Sequence, residues 1–387
     1  MADLFDEMLN SIDSLSDDQL DMLLSILEVK KSGQEKAKEA GLLVDDGQII
    51  ACPHCGSATI KKHGKSQGKQ RYMCKDCGKT FLNSIGTMFH HSKLNSYQWK
   101  ELLKGMVLNL SLSKIAENMG ICPSAVWYNR QKVLDMLASK FIDQDKFVDI
   151  VECDEYAVHL SFKGKRDANF FVNILGRLPR HHRNYAEKVE YLKKNGLWED
   201  LQKDPERLEG LLTGDTYVRG TNKDSVCILT GKDRSGNLYL EPTCVGSIET
   251  RHIQQKLKNR LAPDAILVTD CNNSYNWFAE YENIHHEQIL ASRHAKGPYS
   301  LARVNAIHSK LAAYWPDTTG RLPATKYLDL SLMLFWWLEK NSDLTAPEQV
   351  EKLFSYLSDP IEYYTSYESL QNRTLPLDTK GLIPERV

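Results

Sequence analysis

The sequence predicts a multidomain α+β protein in which small N-terminal modules precede a larger α/β domain. Two C-x-x-C pairs lie between residues 52 and 77, and the apolar spacing changes from strand-like to helical over residues 96–138. Beyond residue 147, short apolar strands alternate with helical stretches. With 387 residues, of which 42% are hydrophobic, the chain is long enough for two or three domains with packed cores.

Charge is distributed unevenly along the chain, although its net value is only −2. Residues 1–50 hold twelve Asp or Glu against four Lys or Arg, whereas residues 51–100 hold nine Lys or Arg and one acidic residue, Asp76. A basic segment of this kind favours a nucleic-acid partner. No run approaches the ~18 apolar residues of a membrane span, and the acidic start does not resemble a signal peptide. We therefore expect a cytoplasmic protein without a membrane partner.

Residues 1–47 form an acidic segment for which the sequence predicts a short helix. Ser16 to Gln19 reads as a capping box, and leucines follow at helical spacing from Leu20 to Leu27. A packing or oligomerisation helix and a regulatory, partner-binding helix are both compatible with this pattern.

Residues 48–83 are predicted to be a zinc ribbon. Two C-x-x-C knuckles eighteen residues apart supply four thiolates to one tetrahedral Zn²⁺, and the segment is too short to build a core without the metal. The zinc is therefore expected to be structural. Its predicted ligands are Cys52, Cys55, Cys74 and Cys77.

The ribbon carries basic side chains that are candidates for contacts with DNA phosphates. These candidates are Lys61, Lys62, Lys65, Lys69 and Arg71.

Residues 95–140 are predicted to form a helix-turn-helix. A helical segment from Ser113 ends at Gly120, and Cys122-Pro-Ser124 begins a second helix. A plain helical hairpin would give the same periodicity, but the neighbouring basic ribbon favours DNA binding. The second helix offers candidate groove and phosphate contacts at Ser124, Tyr128, Asn129, Arg130 and Lys132.

The downstream half has the pattern of an α/β domain with acidic residues at two strand ends. A strand beginning near Phe147 runs into Asp154, and the buried-type strand from Ala265 ends in Asp270. Antiparallel strands are expected between them, and a helix is expected from about Leu301 to Tyr314. This order suits a ribonuclease-H-like fold.

A pair of carboxylates at neighbouring strand ends, completed by a third ligand from a helix, can hold two divalent cations about 4 Å apart. Such a pair supports in-line displacement at a phosphodiester, with one cation activating water or a 3′-hydroxyl. Mg²⁺ suits the hard oxygen ligands, and Mn²⁺ is expected to substitute for it.

The ordered set of motifs resembles the zinc-ribbon transposases of bacterial insertion sequences, the ISXO-type group. Ribbon and helix-turn-helix come first, and the likeness covers roughly residues 48–340. The later segments that carry it are Val151-Glu-Cys-Asp-Glu-Tyr156, Ser161-Phe-Lys-Gly-Lys-Arg166, Val268-Thr-Asp270, Val304-Asn-Ala-Ile-His-Ser309 and Ala324-Thr-Lys-Tyr-Leu328.

The resemblance implies a nuclease and strand transferase that binds the terminal inverted repeats of its element in double-stranded DNA. It places the two metal-binding aspartates on Asp154 and Asp270. The third position falls on Asn305, with His308 as its rival. Because two element ends must be held together, a homodimer or higher oligomer is expected, associated with the bacterial nucleoid.

The same resemblance gives the catalytic domain as residues 147–340, with an insertion at about 177–222 and a tail at 341–387. The chain departs from the family where a basic residue is expected at Ala312 and in the segment Gly320-Arg-Leu-Pro323. An alternative is therefore a catalytically weakened or domesticated transposase that acts as a zinc-dependent DNA-binding regulator.

Several other residues attract attention without a firm role. Glu152 and Glu155 flank Asp154 and are expected on the opposite face of its strand. The pair at His285 and His286 is expected in a loop. The tryptophans are expected in the core rather than on a DNA-end platform; they are Trp315, Trp336 and Trp337.

Overall fold

In the computed structural model, residues 52–384 are described, apart from 67–68, 83, 91, 142–145, 181, 183, 215–222, 294, 316–321 and 360–364. The helix expected near Ser16 lies outside the described residues. The described residues form two compact units. The first holds residues up to Arg130 together with those between Leu344 and Tyr364, and the second holds the rest.

The first unit begins with a three-stranded antiparallel sheet in the order β1-β2-β3. Phe81 from the last strand is buried in a small core together with Cys52 and Cys74. The strands are β1 (Ile60–Ser66), β2 (Lys69–Cys74) and β3 (Thr80–Leu82).

Three helices follow the ribbon: α1 (Ser96–Val107), α2 (Leu112–Met119) and α3 (Pro123–Lys140). Helix α2 ends at Gly120, whose φ of 65° lies in the left-handed region that glycine adopts without a steric penalty. Two helices joined by a short turn therefore lie where the sequence analysis expects them. Gly105 lets α1 and α2 approach closely, because a Cβ atom there would lie 2.4 Å from Cγ1 of the buried Ile115.

The second unit is built on a mixed five-stranded sheet in the order β6-β5-β4-β7-β8. Strands β4, β5 and β6 are antiparallel, whereas β7 is parallel to β4 and β8 is parallel to β7. The strands are β4 (Ile150–His159), β5 (Ser225–Asp233), β6 (Leu238–Val245), β7 (Ile266–Thr269) and β8 (His285–Gln288).

Three helices lie in the segment between β4 and β5 and enclose a small apolar core of their own, which includes Leu192 and Leu211. They follow a turn of π-helix at Phe170–Ile174. They are α4 (Tyr185–Lys194), α5 (Trp198–Leu201) and α6 (Pro205–Thr213).

Helices cover the sheet and complete its core. Val151 and Cys153 of β4 pack in one cluster with Ile253, Tyr275 and Phe278, which come from α7 and α8. A short hairpin of β9 and β10 precedes α9, and a single turn of 3₁₀-helix precedes α10. The bounds are α7 (Thr250–Leu257), α8 (Asn273–Glu282), β9 (Ala295–Lys296), β10 (Tyr299–Ser300), α9 (Ala302–Tyr314), the 3₁₀ turn (Thr325–Tyr327) and α10 (Leu328–Lys340).

Two further helices, α11 (Ala346–Tyr356) and α12 (Tyr367–Gln371), follow. Helix α11 packs on α1 of the first unit: the rings of Phe89 and Phe354 lie 5.6 Å apart, and Lys100 Nζ lies 2.8 Å from a carboxylate oxygen of Glu351. The predicted tail therefore supplies part of the core of the first unit.

The last described residues are held on the second unit by Asp378. This residue forms a parallel β-bridge with Cys244, and its carboxylate accepts a hydrogen bond from Nε2 of the buried His252 at 2.9 Å. Arg251 lies 2.8 Å from the same carboxylate oxygen. These contacts were not predicted, because the segment has no apolar period.

The structure confirms the α+β class and corrects some local predictions. Strand β4 does not end at Asp154 but continues to His159. His285 and His286 lie in strand β8 rather than in a loop. Trp315, Trp336 and Trp337 are buried, as expected. Among the described helices, none is long and apolar enough to cross a membrane.

Candidate functional site

The four predicted cysteine ligands converge in the ribbon. The Sγ atoms of all four lie within 4.8 Å of one another. Those of Cys52 and Cys77 are 3.7 Å apart, and those of Cys55 and Cys74 are 3.6 Å apart. A tetrahedron of Zn–S bonds of about 2.3 Å has edges of roughly 3.8 Å, so these four thiols suit a zinc ion.

Backbone amides support this thiol group. The N–H of His54 donates to Sγ of Cys52 at 3.4 Å. The backbone N–H of Cys77, with that of Asp76, lowers the pKa of the Cys74 thiol to about 6, which favours the thiolate that a metal needs. The donor set and its surroundings therefore suit a structural zinc site.

The basic candidates of the ribbon lie on and beside its first hairpin. Lys61, Lys62 and Lys65 are exposed on β1, where their charges can meet solvent or a polyanion. Arg71 is half-buried, and its Nε donates to the carbonyl of His63 at 3.3 Å. Lys69 begins β2, and its side chain is outside what the structure describes.

The helix-turn-helix candidates are all on α3 but differ in exposure. Ser124 is exposed in the first turn, whereas the side chains of Tyr128, Arg130 and Lys132 are half-buried. The amide of Asn129 donates to the carbonyl of Ala125 within the helix at 2.9 Å. Ser124 is therefore the most accessible of these five residues.

A notch in the sheet of the second unit brings the predicted aspartates together. Strand β4 pairs with β7 only from Ile150 to Glu152, because β7 ends at Thr269 while β4 continues. Asp154 and Glu155 therefore lie on a stretch of β4 that has no partner strand on that side. Asp270 follows β7 directly across this gap.

Three carboxylates meet at this notch. One oxygen each from Asp154, Glu155 and Asp270 lies within 4.8 Å of the others, in a partly buried setting. Such a group of hard oxygen donors suits a divalent cation such as Mg²⁺ or Mn²⁺. The two predicted aspartates are thus brought together, and Glu155 is an addition that sequence reasoning missed.

Hydrogen bonds hold the loop after β7 in place beside Glu155. The backbone N–H of Asn272 donates to Oδ1 of Asp270 at 2.9 Å, and its side-chain amide donates to Oε1 of Glu155 at 3.2 Å. The side-chain oxygen of Asn272 accepts from the N–H of Ser274 and so caps α8. One residue therefore links the helix start to two of the three carboxylates.

Burial and mutual repulsion raise the pKa values of two carboxyl groups at the notch. Burial, together with the charge of Asp270, raises the pKa of Asp154 to about 6. Burial and the charges of Asp154 and Asp270 raise the pKa of Glu155 to about 7. Carboxylates that repel one another in this way are stabilised by a bound cation.

Of the two rivals for the third position, His308 lies beside Asp154. Its Nδ1 lies 3.8 Å from Oδ2 of Asp154, and burial lowers the pKa of its imidazole to about 4, so that the ring is neutral at pH 7. Its Nε2 is buried and has no hydrogen-bond partner among the described residues. Asn305, one turn earlier on α9, is exposed, and its side chain forms no hydrogen bond with the described residues.

Glu152 has a structural task that sequence reasoning missed. Its buried carboxylate accepts hydrogen bonds from the backbone N–H groups of Arg303 at 2.7 Å and Val304 at 3.2 Å. It thus satisfies donors at the start of α9, which has no side-chain cap of its own. Glu152 lies two residues before Asp154, on the same face of β4, so the predicted opposite placement was wrong.

A family model and a curated relative each match part of the chain. Residues 49–78 match the family model for the InsA N-terminal domain, a zinc ribbon. The chain is also 28% identical over 117 residues to an uncharacterized protein in transposable element ISH50 of Halobacterium salinarum. This match covers 30% of the chain and 39% of the relative, so it spans about two fifths of the relative's length.

Two solved structures show a weak similarity to this chain. A pre-cleavage Mos1 transpososome covers 65% of this chain and 75% of its own, with 13% identity and a TM-score of 0.19. The Mos1 transposase paired-end complex with left transposon end covers 66% and 75%, with the same identity and TM-score. A TM-score of this size does not establish a shared fold. The comparisons therefore identify the chain as similar to an InsA-type ribbon and to a protein in a transposable element.

Proposed function

We propose that this protein is a DNA transposase that binds the terminal inverted repeats of an insertion sequence, cleaves their 3′ ends and joins them to target DNA. The carboxylate notch of Asp154, Glu155 and Asp270 carries the proposal, because its three clustered oxygens suit divalent cations of the kind that phosphodiester transfer needs. The InsA-type ribbon and the relative in ISH50 support the class of element.

The mixed sheet supports a ribonuclease-H-like catalytic domain over about residues 147–340. Its first three strands are antiparallel, its fourth and fifth are parallel to the first, and the aspartates lie on the first strand and directly after the fourth. This arrangement agrees with the order of strands and carboxylates from which the fold was predicted.

The ribbon and helices α2 and α3 are proposed to bind DNA. Lys61, Lys62 and Lys65 form an exposed positive edge suited to phosphates, and Ser124 lies in the first turn of the helix that would enter the groove. Binding by this segment would supply the recognition of element ends. Holding two ends together calls for at least two copies of the protein.

The carboxylates of the notch would hold divalent cations and position them next to the phosphodiester backbone of the DNA. When bound, such cations activate a water or 3′-hydroxyl and stabilise the leaving oxygen. Asn272 holds the carboxylates of Asp270 and Glu155 in place. The imidazole of His308, which is neutral at pH 7, lies beside Asp154 with Nδ1 3.8 Å from Oδ2.

A strand-transfer assay with labelled element ends tests the proposal. Wild-type protein with Mg²⁺ or Mn²⁺ is expected to give joined products. The variants Asp154→Ala and Asp270→Ala are expected to bind the same ends but to form joined products at a rate at least about a hundredfold lower. Gel-shift measurements on the same preparations confirm that DNA binding is retained.

The assay also distinguishes the alternative, a domesticated DNA-binding regulator. Equal end binding by all three proteins with no metal-dependent product from any of them would reject the transposase and support the regulator. Inverted repeats beside the coding sequence would independently favour an active element.

A further inference from the structure

We propose that a group of basic side chains between helices α9 and α10 binds the phosphate backbone of duplex DNA, whatever its sequence. This group, the basic cluster, consists of Lys232, Arg303, Lys310 and Lys340. Its role rests on the proposed function, because it names where DNA would lie on the unit that carries the notch. The DNA-binding candidates predicted from the sequence lie on the ribbon and on α3 instead.

The sheet directs Lys232 toward α9 and α10. Lys232 on β5 pairs directly with Glu152 on β4, and residues that face each other across two antiparallel strands lie on the same face of the sheet. On that face the carboxylate of Glu152 accepts from the first amides of α9. Helix α10 packs beside α9, because the rings of Tyr314 and Phe335 lie 5.4 Å apart. Half-buried Lys232 therefore lies beneath the two helices.

The helices bring the other three members to the same place. Arg303 and Lys310 are exposed and lie seven residues apart on α9, so they share one edge at a separation of about 10 Å along the axis. Nζ of Lys310 forms an ion pair with Glu339 of α10, so this edge faces α10. Exposed Lys340 comes next after Glu339, in the last turn of α10.

The basic cluster has an excess of positive charge that its carboxylate neighbours do not balance. Glu339 is paired with Lys310, and the carboxylate of Glu152 accepts from backbone amides. Lys232 and Arg303 form no ion pair with any of the residues that the structure describes. Four cations therefore surround two carboxylates that are already engaged, which suits an anion with several charges.

Lys232 feels this excess most directly. Burial lowers the pKa of its amino group. The carboxylate of Glu339 raises this pKa, but positive charges on the other three members of the cluster lower it; these are Lys310, Arg303 and Lys340. A phosphate bound among them would supply negative charge and favour the protonated amine.

The basic cluster and the notch lie on opposite edges of α9. The edge away from Arg303 carries His308, whose Nδ1 is 3.8 Å from Oδ2 of Asp154. A helix is about 10 Å across, so a DNA strand that crosses α9 from the notch passes roughly three phosphates before it reaches the cluster. Only short side chains are exposed along the crest between the edges: Ala302, Ala306, Ser309 and Ala313.

The salt dependence of binding to a random-sequence duplex tests the basic cluster. Fluorescence anisotropy on the full-length, zinc-loaded protein gives the slope of log K against log salt concentration, which changes by about 0.9 for each phosphate contact. We expect Arg303→Gln to reduce the magnitude of the slope by about 0.9, and the double variant Lys232→Gln/Arg303→Gln to reduce it by about 1.8. The ribbon is unaltered in both and contributes equally.

The matched control is Lys193→Gln/Lys194→Gln on α4, which also removes two positive charges from exposed positions of the second unit. It is expected to keep the wild-type slope. Arg303→Lys retains the charge and is also expected to keep it. Amide exchange of α9 reports whether each variant is folded, and the exposed single variant Arg303→Gln decides the matter if the double variant is not.

Two outcomes would overturn the assignment to DNA. Wild-type slopes in both glutamine variants would show that the cluster contacts no phosphates. If Arg303→Gln weakened binding to poly-glutamate but not to the duplex, the cluster would belong to an acidic protein segment instead.

Strand transfer separates this assignment from the proposed function. Unchanged slopes with metal-dependent joining by wild type would reject the basic cluster and leave the transposase. Reduced slopes without joined products from any protein would support the cluster as a DNA-binding surface and reject the transposase.

Discussion

At the scale of single residues, the carboxylates of the notch oppose folding when no cation is present. Asp154 and Glu155 have pKa values raised to about 6 and about 7 by burial and by nearby negative charge. The folded protein therefore holds protons between about pH 4 and pH 7 that the unfolded chain releases. The contribution of these two groups to the free energy of unfolding therefore falls as the pH rises through this window, and it changes little with pH below the window.

Asp154→Asn is therefore expected to stabilise β4 in cation-free buffer at neutral pH. Asparagine keeps an oxygen that can accept from the N–H of Glu155 but carries no charge. We expect the local free energy of opening to rise by roughly 1–3 kcal/mol at pH 7.5, and the gain to shrink toward about pH 5. Amide hydrogen exchange of β4, expressed as protection factors, measures it.

Exposed Asp264→Asn in the same unit serves as the control and is expected to leave the protection of β4 unchanged. An Asp154→Asn protein with wild-type or lower protection at neutral pH would contradict the repulsion described above. Saturating Mg²⁺ should reverse the order of the two proteins, because wild type gains the stabilisation of a bound cation.

The sequence predicted these residues unequally, for physical reasons. Asp270 was predictable because an apolar strand ends directly before it. Asp154 was predicted from the alternation of apolar and polar residues along its strand, although that strand continues for five more residues to His159. Glu155 was missed because a strand's alternation places it on the far face, and only the early end of β7 brings the two faces together.

At the scale of secondary-structure elements, the contact of α1 with α2 depends on one missing side chain. Gly105→Ala places a Cβ atom 2.4 Å from Cγ1 of Ile115, which is buried and not at the flexible end of its side chain. We expect a net destabilisation of about 1–3 kcal/mol despite the better helix propensity of alanine. Denaturant unfolding, monitored by the amide hydrogen exchange of α1 and α2, measures this change in the free energy of unfolding.

Gly210→Ala in helix α6 is the matched control, because a Cβ atom there has no neighbour within 4 Å. It is expected to stabilise its helix by about 0.4–1 kcal/mol. If both substitutions stabilise their helices, the close approach of α1 to α2 is not under steric control by Gly105.

Other elements depend on partners that the local sequence does not reveal. Strand β8 has the sequence His-His-Glu-Gln, with no apolar alternation, and it exists because β7 offers a free edge for parallel pairing. Helix α9 was predicted at nearly its observed bounds, yet the carboxylate that satisfies its first amides comes from Glu152 on β4. Periodicity identifies helices well, but it does not identify their long-range caps.

At the scale of the whole molecule, the zinc and carboxylate sites lie in different compact units and are expected to fail separately. Cys74→Ser removes one of the four zinc ligands, and a structural zinc site contributes about 10–16 kcal/mol to the folding of its module. We expect the variant to lose zinc and DNA-end binding while β4 keeps its exchange protection and its Mn²⁺ affinity. Metal analysis, gel shift and hydrogen exchange measure these three properties.

Cys122→Ser, an exposed cysteine outside the thiol group, is the control and is expected to keep one zinc per chain. Loss of protection in β4 together with loss of zinc in Cys74→Ser would show that the two units fold as one.

The overall order of modules could be read from the sequence, whereas the path of the C-terminal tail could not. Ribbon, helices and mixed sheet each have a local signature in metal-ligand spacing or apolar period. The C-terminal part has none that indicates where it goes, and it is divided between the units: α11 packs on α1, and Asp378 binds His252.

The position of α11 has a consequence for synthesis on the ribosome. Residues 131–343 of the second unit interrupt the first unit, so Phe354 emerges more than two hundred residues after the helix α1 that α11 packs on. At about 5–20 residues per second, the apolar face around Phe89 waits roughly 10–50 seconds for its cover. During that interval the nascent chain presents a natural binding site for a chaperone. A protein truncated before Leu344 would keep that surface exposed permanently.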